Sequence, residues 1–289
     1  MIKIIDTYPQ IGTLFDDGTF NIEKWELYIN FNYDKSANIF KDDLRKYLDS
    51  GNYVYEKDIL PILNAVYENS NLETLYSSFC KITDGLNEKI IDHFGCELDI
   101  DIVLYIGLCN AAGWVTNING RDVILLGIEK ILELNWCDED SMYGLIYHEL
   151  GHVYHKQYGM FHQQSDNNSQ NYVWQLFTEG IAMCFEQTLV DNSNYYHQNK
   201  NGWLEWCDNH YQQILADFYH DLPTMTKSNQ KYFGDWVSYR GKGDVGYYLG
   251  TKFVQQLCTK YIFERIINMD IDRIYQEYIL FVKDIILKD

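Results

Sequence analysis

The chain has 289 residues, of which 46% are hydrophobic and 16% aromatic, enough apolar material for one large domain or two small packed ones. Its formal net charge of -19 comes from 42 acidic and 23 basic residues, so phosphate backbones and anionic membrane surfaces would be repelled. We therefore expect neither a nucleic-acid partner nor a membrane partner.

The amino-terminal sequence MIKIIDTYPQ lacks the basic region and apolar run of a secretory signal, and it predicts a cytoplasmic protein. The 7 cysteines form no Cys-x-x-Cys pair, which is typical of a reducing compartment. We interpret them as small apolar core residues.

Residues 1–98 are predicted to form a helical N-terminal region. Apolar side chains recur there at steps of three and four residues, as in Trp25, Tyr28, Ile29, Phe40, Leu44, Leu72, Leu75 and Phe79. Residues 99–289 are predicted to form the second region, which carries the chemistry.

The second region begins with β-type runs. DIDIVLYIG starts at residue 99, and two further runs flank Asn119-Gly120, a pair that favours a tight hairpin because both residues tolerate positive φ. We predict a small antiparallel sheet here. IEKILEL then predicts a short helix, and CDEDS supplies an N-cap and acidic side chains for the positive end of the next helix.

That next helix contains GLIYHELGHVYH, residues 144–155. On an α-helix, His148 and His152 lie about 40° apart and about 6 Å along the axis, so both imidazoles can bind one ion. Glu149 lies on the adjoining flank, where it can take a proton from a water held by that ion. The alternative is an ordinary helix with two histidines. His155 is about 10 Å along the axis from His148, which favours a structural or supporting role.

A catalytic zinc needs three protein ligands, so a third must come from elsewhere. The best candidate is Glu179 in WQLFTEGIAMCFEQ, where apolar neighbours recur with helical spacing. A carboxylate among such neighbours is costly to bury unless a cation pairs with it. Glu186, two turns further on, is the rival ligand.

HELGH followed by TEGIAMCF resembles the gluzincin metallopeptidases, which carry His-Glu-x-x-His on one helix and a Glu-Gly-x-Ala segment on the next. GYYLGTKFVQQL is similar to the Tyr-x-x-Gly segment of the aminopeptidase N branch, with Tyr247 and Gly250 matching. Within the gluzincins, the chain is most similar to small bacterial predicted zinc-dependent proteases, over roughly residues 100–260.

The resemblance implies an α+β, mostly helical fold with a zincin-like, thermolysin-like catalytic domain over residues 99–289. It implies a zinc-dependent peptidase that hydrolyses peptide or protein substrates. One Zn²⁺ per chain would be bound by His148, His152 and Glu179, with Glu149 as the general base. Tyr247 would stabilise the oxyanion, with its neighbour Tyr248 as the alternative donor. The polar run HQQSDNNSQN, between His152 and Glu179, is predicted to loop out.

Two other functions stay open. One is a regulatory, site-specific protease of the ImmA/IrrE type, which also carries HELGH and a downstream glutamate; a helix-turn-helix segment would favour it, and the sequence shows none. The other is a noncatalytic protein with a structural zinc, whose fourth ligand would be His162 or Asp235.

Overall fold

A computed structural model of the chain describes residues 1–32, 36–51, 53–234 and 237–286. The described chain is mostly helical with a small sheet, which confirms the predicted α+β class. It forms two compact units, Met1–Glu149 and Leu150–Asp289. The division after residue 98 stays a prediction from the sequence pattern.

The described residues of the first unit include six short strands: β1 (Lys3–Asp6), β2 (Phe15–Asp16), β3 (Thr19–Phe20), β4 (Asp101–Tyr105), β5 (Gly113–Ile118) and β6 (Arg121–Gly127). β2 and β3 form a separate hairpin, and the other four strands form a sheet in the order β1-β4-β6-β5. β5 and β6 pair antiparallel across Asn119-Gly120, whose φ angles of 53° and 83° confirm the predicted hairpin turn.

The predicted antiparallel sheet is wrong outside this hairpin. β4 runs parallel to β6 on one side and to β1 on the other, so the sheet is mixed. Every residue of β4 is buried, which is typical of an interior parallel strand. Strand β1 also shows that the N-terminal region is not purely helical; its four residues KIID are too few to give a clear two-residue period.

The α-helices that the structure describes in the first unit are α1 (Ile22–Asn32), α2 (Ala37–Asp49), α3 (Leu60–Asn64), α4 (Leu72–Thr83), α5 (Leu86–Phe94), α6 (Ile128–Glu133) and α7 (Glu139–Tyr143). The predicted apolar stripes are buried, with Trp25, Phe40, Leu75 and Phe79 at 0–1% exposure. The predicted cap is confirmed at Asp138, whose carboxylate accepts a hydrogen bond of 2.8 Å from the Ser141 backbone N–H.

A buried carboxyl group on α6 holds the segment between β4 and β5. Glu129 accepts hydrogen bonds from the backbone N–H groups of Gly107 (2.9 Å) and Cys109 (3.0 Å). Burial raises the pKa of Glu129 to about 7, although these two hydrogen bonds act in the opposite direction. The loop that leads into edge strand β5 is therefore anchored by a group that titrates near neutral pH.

The helix that carries the two histidines is not a regular α-helix throughout. α7 continues into a π-helical turn, Gly144–His148, and then into α8 (Glu149–Tyr158). Such turns are rare and are found frequently at functional sites. The sequence predicts the helix but not this turn.

The second unit contains α9 (Asn168–Leu189), α10 (Trp203–Asn209), α11 (Tyr211–Asp221), α12 (Val245–Cys258), α13 (Phe263–Ile266) and α14 (Ile271–Ile286). α9 lies at its centre and packs against α12 and α14. The predicted loop is confirmed for residues 162–167, whereas the last four residues of that polar run form the first turn of α9.

None of the described helices combines the length and the apolar character that a membrane-spanning segment requires.

Candidate metal centre

The small residues of the three motifs are the points at which α8, α9 and α12 touch. A Cβ atom added to Gly151 would lie 2.6 Å from the Cα atom of Ala182 on α9, so this glycine permits a close contact between the two helices. A Cβ atom on Gly180 would lie 2.3 Å from the carbonyl oxygen of Gly250, and one on Gly250 would lie 2.3 Å from that of Leu176. The motif glycines therefore have a packing role of their own.

The contact between α8 and α9 brings Glu179 to the histidines. Glu179 lies three residues before Ala182 on α9, and His152 directly follows Gly151 on α8. The Nε2 atom of His152 lies 3.3 Å from the Oε2 atom of Glu179. His148 is 4% exposed, and each of the three side chains offers a ligand atom within 4.8 Å of the other two.

One pair in this donor set has the spacing expected of two ligands of one metal ion. Nitrogen and oxygen ligands about 2.0–2.1 Å from a tetrahedral zinc lie about 3.3 Å from each other, which matches the separation of His152 and Glu179. Two imidazoles and one carboxylate also leave a fourth tetrahedral position for a nonprotein ligand. His148, His152 and Glu179 could thus hold a metal ion, as the sequence predicts.

A second group of possible ligands shares His148. Its other members are Glu186 and His197, again with ligand atoms within 4.8 Å of one another. Glu186 is fully buried, and its two carboxylate oxygens lie 2.9 and 3.0 Å from the Nδ1 atom of His197. Glu186 follows Glu179 by seven residues, so both carboxylates lie on the same face of α9.

His197 is a possible ligand to which no sequence pattern points. It lies in the stretch 190–202, between α9 and α10, and belongs to no motif. The available signal was indirect: Glu186 falls in the apolar stripe of α9, and a buried carboxylate requires a hydrogen-bonding partner. The sequence predicts that such a partner exists but not where along the chain it lies.

The two proposed catalytic side chains are half-buried. Glu149 is the first residue of α8 and directly follows His148. The ring of Tyr247 contacts that of His197 edge-on, with 6.4 Å between their centroids. The neighbouring Tyr248 is buried, and its hydroxyl donates a hydrogen bond of 2.7 Å to Asp208. Of the two tyrosines, Tyr247 is therefore the one beside a possible metal ligand.

The remaining histidine candidates lie outside both ligand groups. His155 is fully buried among the rings of Phe161, Trp174 and Phe177. Burial, and secondly charge on His152, lowers the pKa of His155 to about 3, which fits a neutral core residue. His162 is exposed and belongs to neither group in the described chain, and Asp235 lies outside the described residues.

No protein-family model matches the chain, and no curated protein or solved structure matches it significantly. The resemblance to gluzincins therefore depends on the motifs and on the geometry of the residues that carry them.

Proposed function

We propose that this protein is a zinc-dependent peptidase with a zincin-like catalytic domain. The observation that carries the proposal is the grouping of His148, His152 and Glu179, with ligand atoms within 4.8 Å of one another and with Glu149 directly after the first histidine. Two histidines one helical turn apart, a glutamate between them and a carboxylate from the next helix are the donor set and general base of such enzymes.

His148, His152 and Glu179 hold the metal; His148 is buried, and the other two side chains are half-buried. A bound zinc ion would supply Lewis-acid polarisation of the scissile carbonyl and would acidify a water molecule. Glu149 accepts the proton of the attacking water and passes it to the leaving amine, because it directly follows His148 and belongs to neither ligand group.

Tyr247 donates a hydrogen bond to the carbonyl oxygen as negative charge develops on it. Its ring lies against that of His197, which shares a ligand group with His148. Tyr248 is unsuited to this role because its hydroxyl already donates to Asp208.

The test is metal analysis combined with a peptide-library cleavage assay, with and without a chelator. Glu149→Gln should keep one zinc per chain and a normal fold but lose hydrolysis, because the carboxylate acts on water rather than on the metal. Glu73→Gln, at an exposed helical position in α4, is the matched control and should cleave like the unmodified protein. Near-normal turnover in Glu149→Gln would contradict the assignment of the general base.

A structural metal site is the second candidate function, and the second ligand group favours it. His148, Glu186 and His197 could hold an ion that takes no part in hydrolysis. In that case His197→Ala would release the metal and Glu179→Ala would retain it. The peptidase proposal expects the reverse order, so a zinc titration of both variants separates the two candidates.

A further inference from the structure

An open groove lies along the N-terminal half of α9, within the second unit. It has a volume of about 610 Å³. Most of its lining side chains are carboxamides, contributed by Gln163, Gln164, Asn168, Asn171 and Gln175. The segment that contains Met225, Thr226 and Lys227 supplies the opposite wall.

The groove side chains of α9 are aligned with Glu179. Asn168, Asn171 and Gln175 are spaced at three and four residues, and Glu179 follows Gln175 by four, so all four lie on one face of the helix. At a rise of 1.5 Å per residue, Gln175 is about 6 Å and Asn168 about 16 Å from Glu179 along the axis. The Gln175 end of the groove is therefore about one helical turn from Glu179.

Some of these carboxamides build the groove, and others face into it. Asn171 accepts a hydrogen bond from the Ser165 backbone N–H and donates one to the Ser165 carbonyl, which fixes the loop wall. Asn168 donates to the carbonyl of Met225 (2.6 Å), which fixes the opposite wall at the far end. Within the described part of the chain, the half-buried amides of Gln163 and Gln175 make no side-chain hydrogen bond.

A carboxamide carries both donors and an acceptor, as does each peptide unit, so half-buried amides suit an extended peptide backbone. The groove also carries a positive charge. Lys227 is its only charged lining residue among those the structure describes, and it forms no ion pair with them. It lies beside Met225, at the Asn168 end, in a chain whose net charge is -19.

We propose that this groove binds an extended segment of the peptide substrate and selects an acidic residue near Lys227. The axial distance of about 16 Å between Asn168 and Glu179 corresponds to four to five residues of an extended chain, which advances about 3.3 Å per residue. An acidic residue at the Asn168 end would therefore lie four to five positions from the scissile bond. The selection rests on the proposed peptidase function for its reference point, whereas peptide binding by the groove can be measured without hydrolysis.

The binding experiment uses zinc-loaded Glu149→Gln protein and fluorescein-labelled decapeptides of Gly, Ser and Ala. One series carries a single Glu at successive positions, and a second series carries Lys instead. Fluorescence anisotropy should show tighter binding of Glu peptides. Adding Lys227→Glu should weaken their binding roughly fivefold and reverse the preference toward Lys peptides, as expected for reversal of an exposed charge.

Gln175→Ala should weaken binding of both series roughly two- to tenfold, because it removes a hydrogen-bonding group and not a charge. Lys283→Glu and Gln276→Ala, at exposed positions of α14, are the matched controls and should leave binding unchanged. Equal binding of Glu and Lys peptides, or groove variants that match the controls, would overturn the proposal.

A cleavage-site analysis of the unmodified protein separates this proposal from the one on which it rests. Cleavage with Glu enriched four to five positions from the cut supports both. Cleavage with no enrichment on either side overturns the groove proposal and leaves the peptidase proposal intact. Absence of any cleavage, together with binding that depends on Lys227, supports the groove as a peptide site and contradicts the peptidase.

Discussion

Gly250→Ala tests whether helix packing sets the geometry of the candidate metal centre. Gly250 is an interior residue of α12, and its backbone is helical, so alanine alone would favour the helix by about 1 kcal/mol. The added Cβ atom would lie 2.3 Å from the carbonyl oxygen of Leu176 on α9 and 3.0 Å from the backbone nitrogen of Gly180. Both neighbours are backbone atoms, so neither can move without moving its helix.

The size of the displacement follows from these distances. Ordinary contact begins at 3.4 Å, so the separation of 2.3 Å falls about 1.1 Å short. Metal sites tolerate deviations of about 0.2 Å in ligand distance. Glu179 directly precedes Gly180, whose backbone must move away from the added Cβ atom. We expect zinc affinity to fall at least tenfold, and the free energy of unfolding of the metal-free protein to fall by about 1–3 kcal/mol.

The assay is a competition titration with a chromophoric zinc chelator, followed by denaturant unfolding of the metal-free protein. Gly12→Ala is the matched control, because a Cβ atom there would have no neighbour within 4 Å. It should bind zinc like the unmodified protein. If Gly250→Ala also bound zinc normally while losing stability, the contact between α9 and α12 would not determine the position of Glu179.

Three further predictions concern single groups. Glu179→Ala should lose zinc under mild dialysis, whereas Glu186→Ala should keep it. Glu186→Ala should also unfold at a lower temperature, because His197 loses its hydrogen-bond acceptor. Equal zinc retention in the two variants would mean that the third ligand is another residue. Tyr247→Phe should lower turnover on the order of 100-fold with little change in KM. Tyr248→Phe should mainly lower stability, because it removes the hydrogen bond to Asp208. The opposite pattern would make Tyr248 the oxyanion donor. Glu129 has a pKa of about 7 in the folded protein against an ordinary value of 4.5, so the folded protein holds this proton more tightly than the unfolded chain does. The stabilisation from this proton is complete below pH 4.5 and is lost as the pH rises through 7, which lowers the free energy of unfolding by up to about 3 kcal/mol. Denaturant unfolding between pH 5.5 and 8 should show this decline. Glu129→Gln should not show it.

Local features were predictable because their causes lie within a few residues. The hairpin at Asn119-Gly120 follows from two residues that tolerate positive φ, and the cap at Asp138 follows from one short side chain before a helix. The close approach at Gly151 could also be inferred, because a glycine inside a helix costs stability and needs a compensating contact.

Features that depend on distant pairing could not be predicted. The direction of β4 depends on which strands lie beside it, and its continuous apolar run suits either orientation. His197 reaches Glu186 from a segment without periodicity or motif, so only the folded chain reveals the pair. Glu179 could be selected because its neighbours form a helical stripe, but its distance from His152 required the packing of two helices.

The π-helical turn at Gly144–His148 lets one continuous helix face two directions. Such a turn holds one residue more than an α-helical turn, which offsets the side chains before it by about 100° from those after it. Leu145 can therefore pack against Gly113 of β5 while His148 and His152 keep the phase that suits their ligand group. Deleting one residue of the turn before His148 would leave the sequence His-Glu-x-x-His intact but would rotate these side chains relative to those before the turn. Grafting the motif alone into another helix would therefore not reproduce this centre.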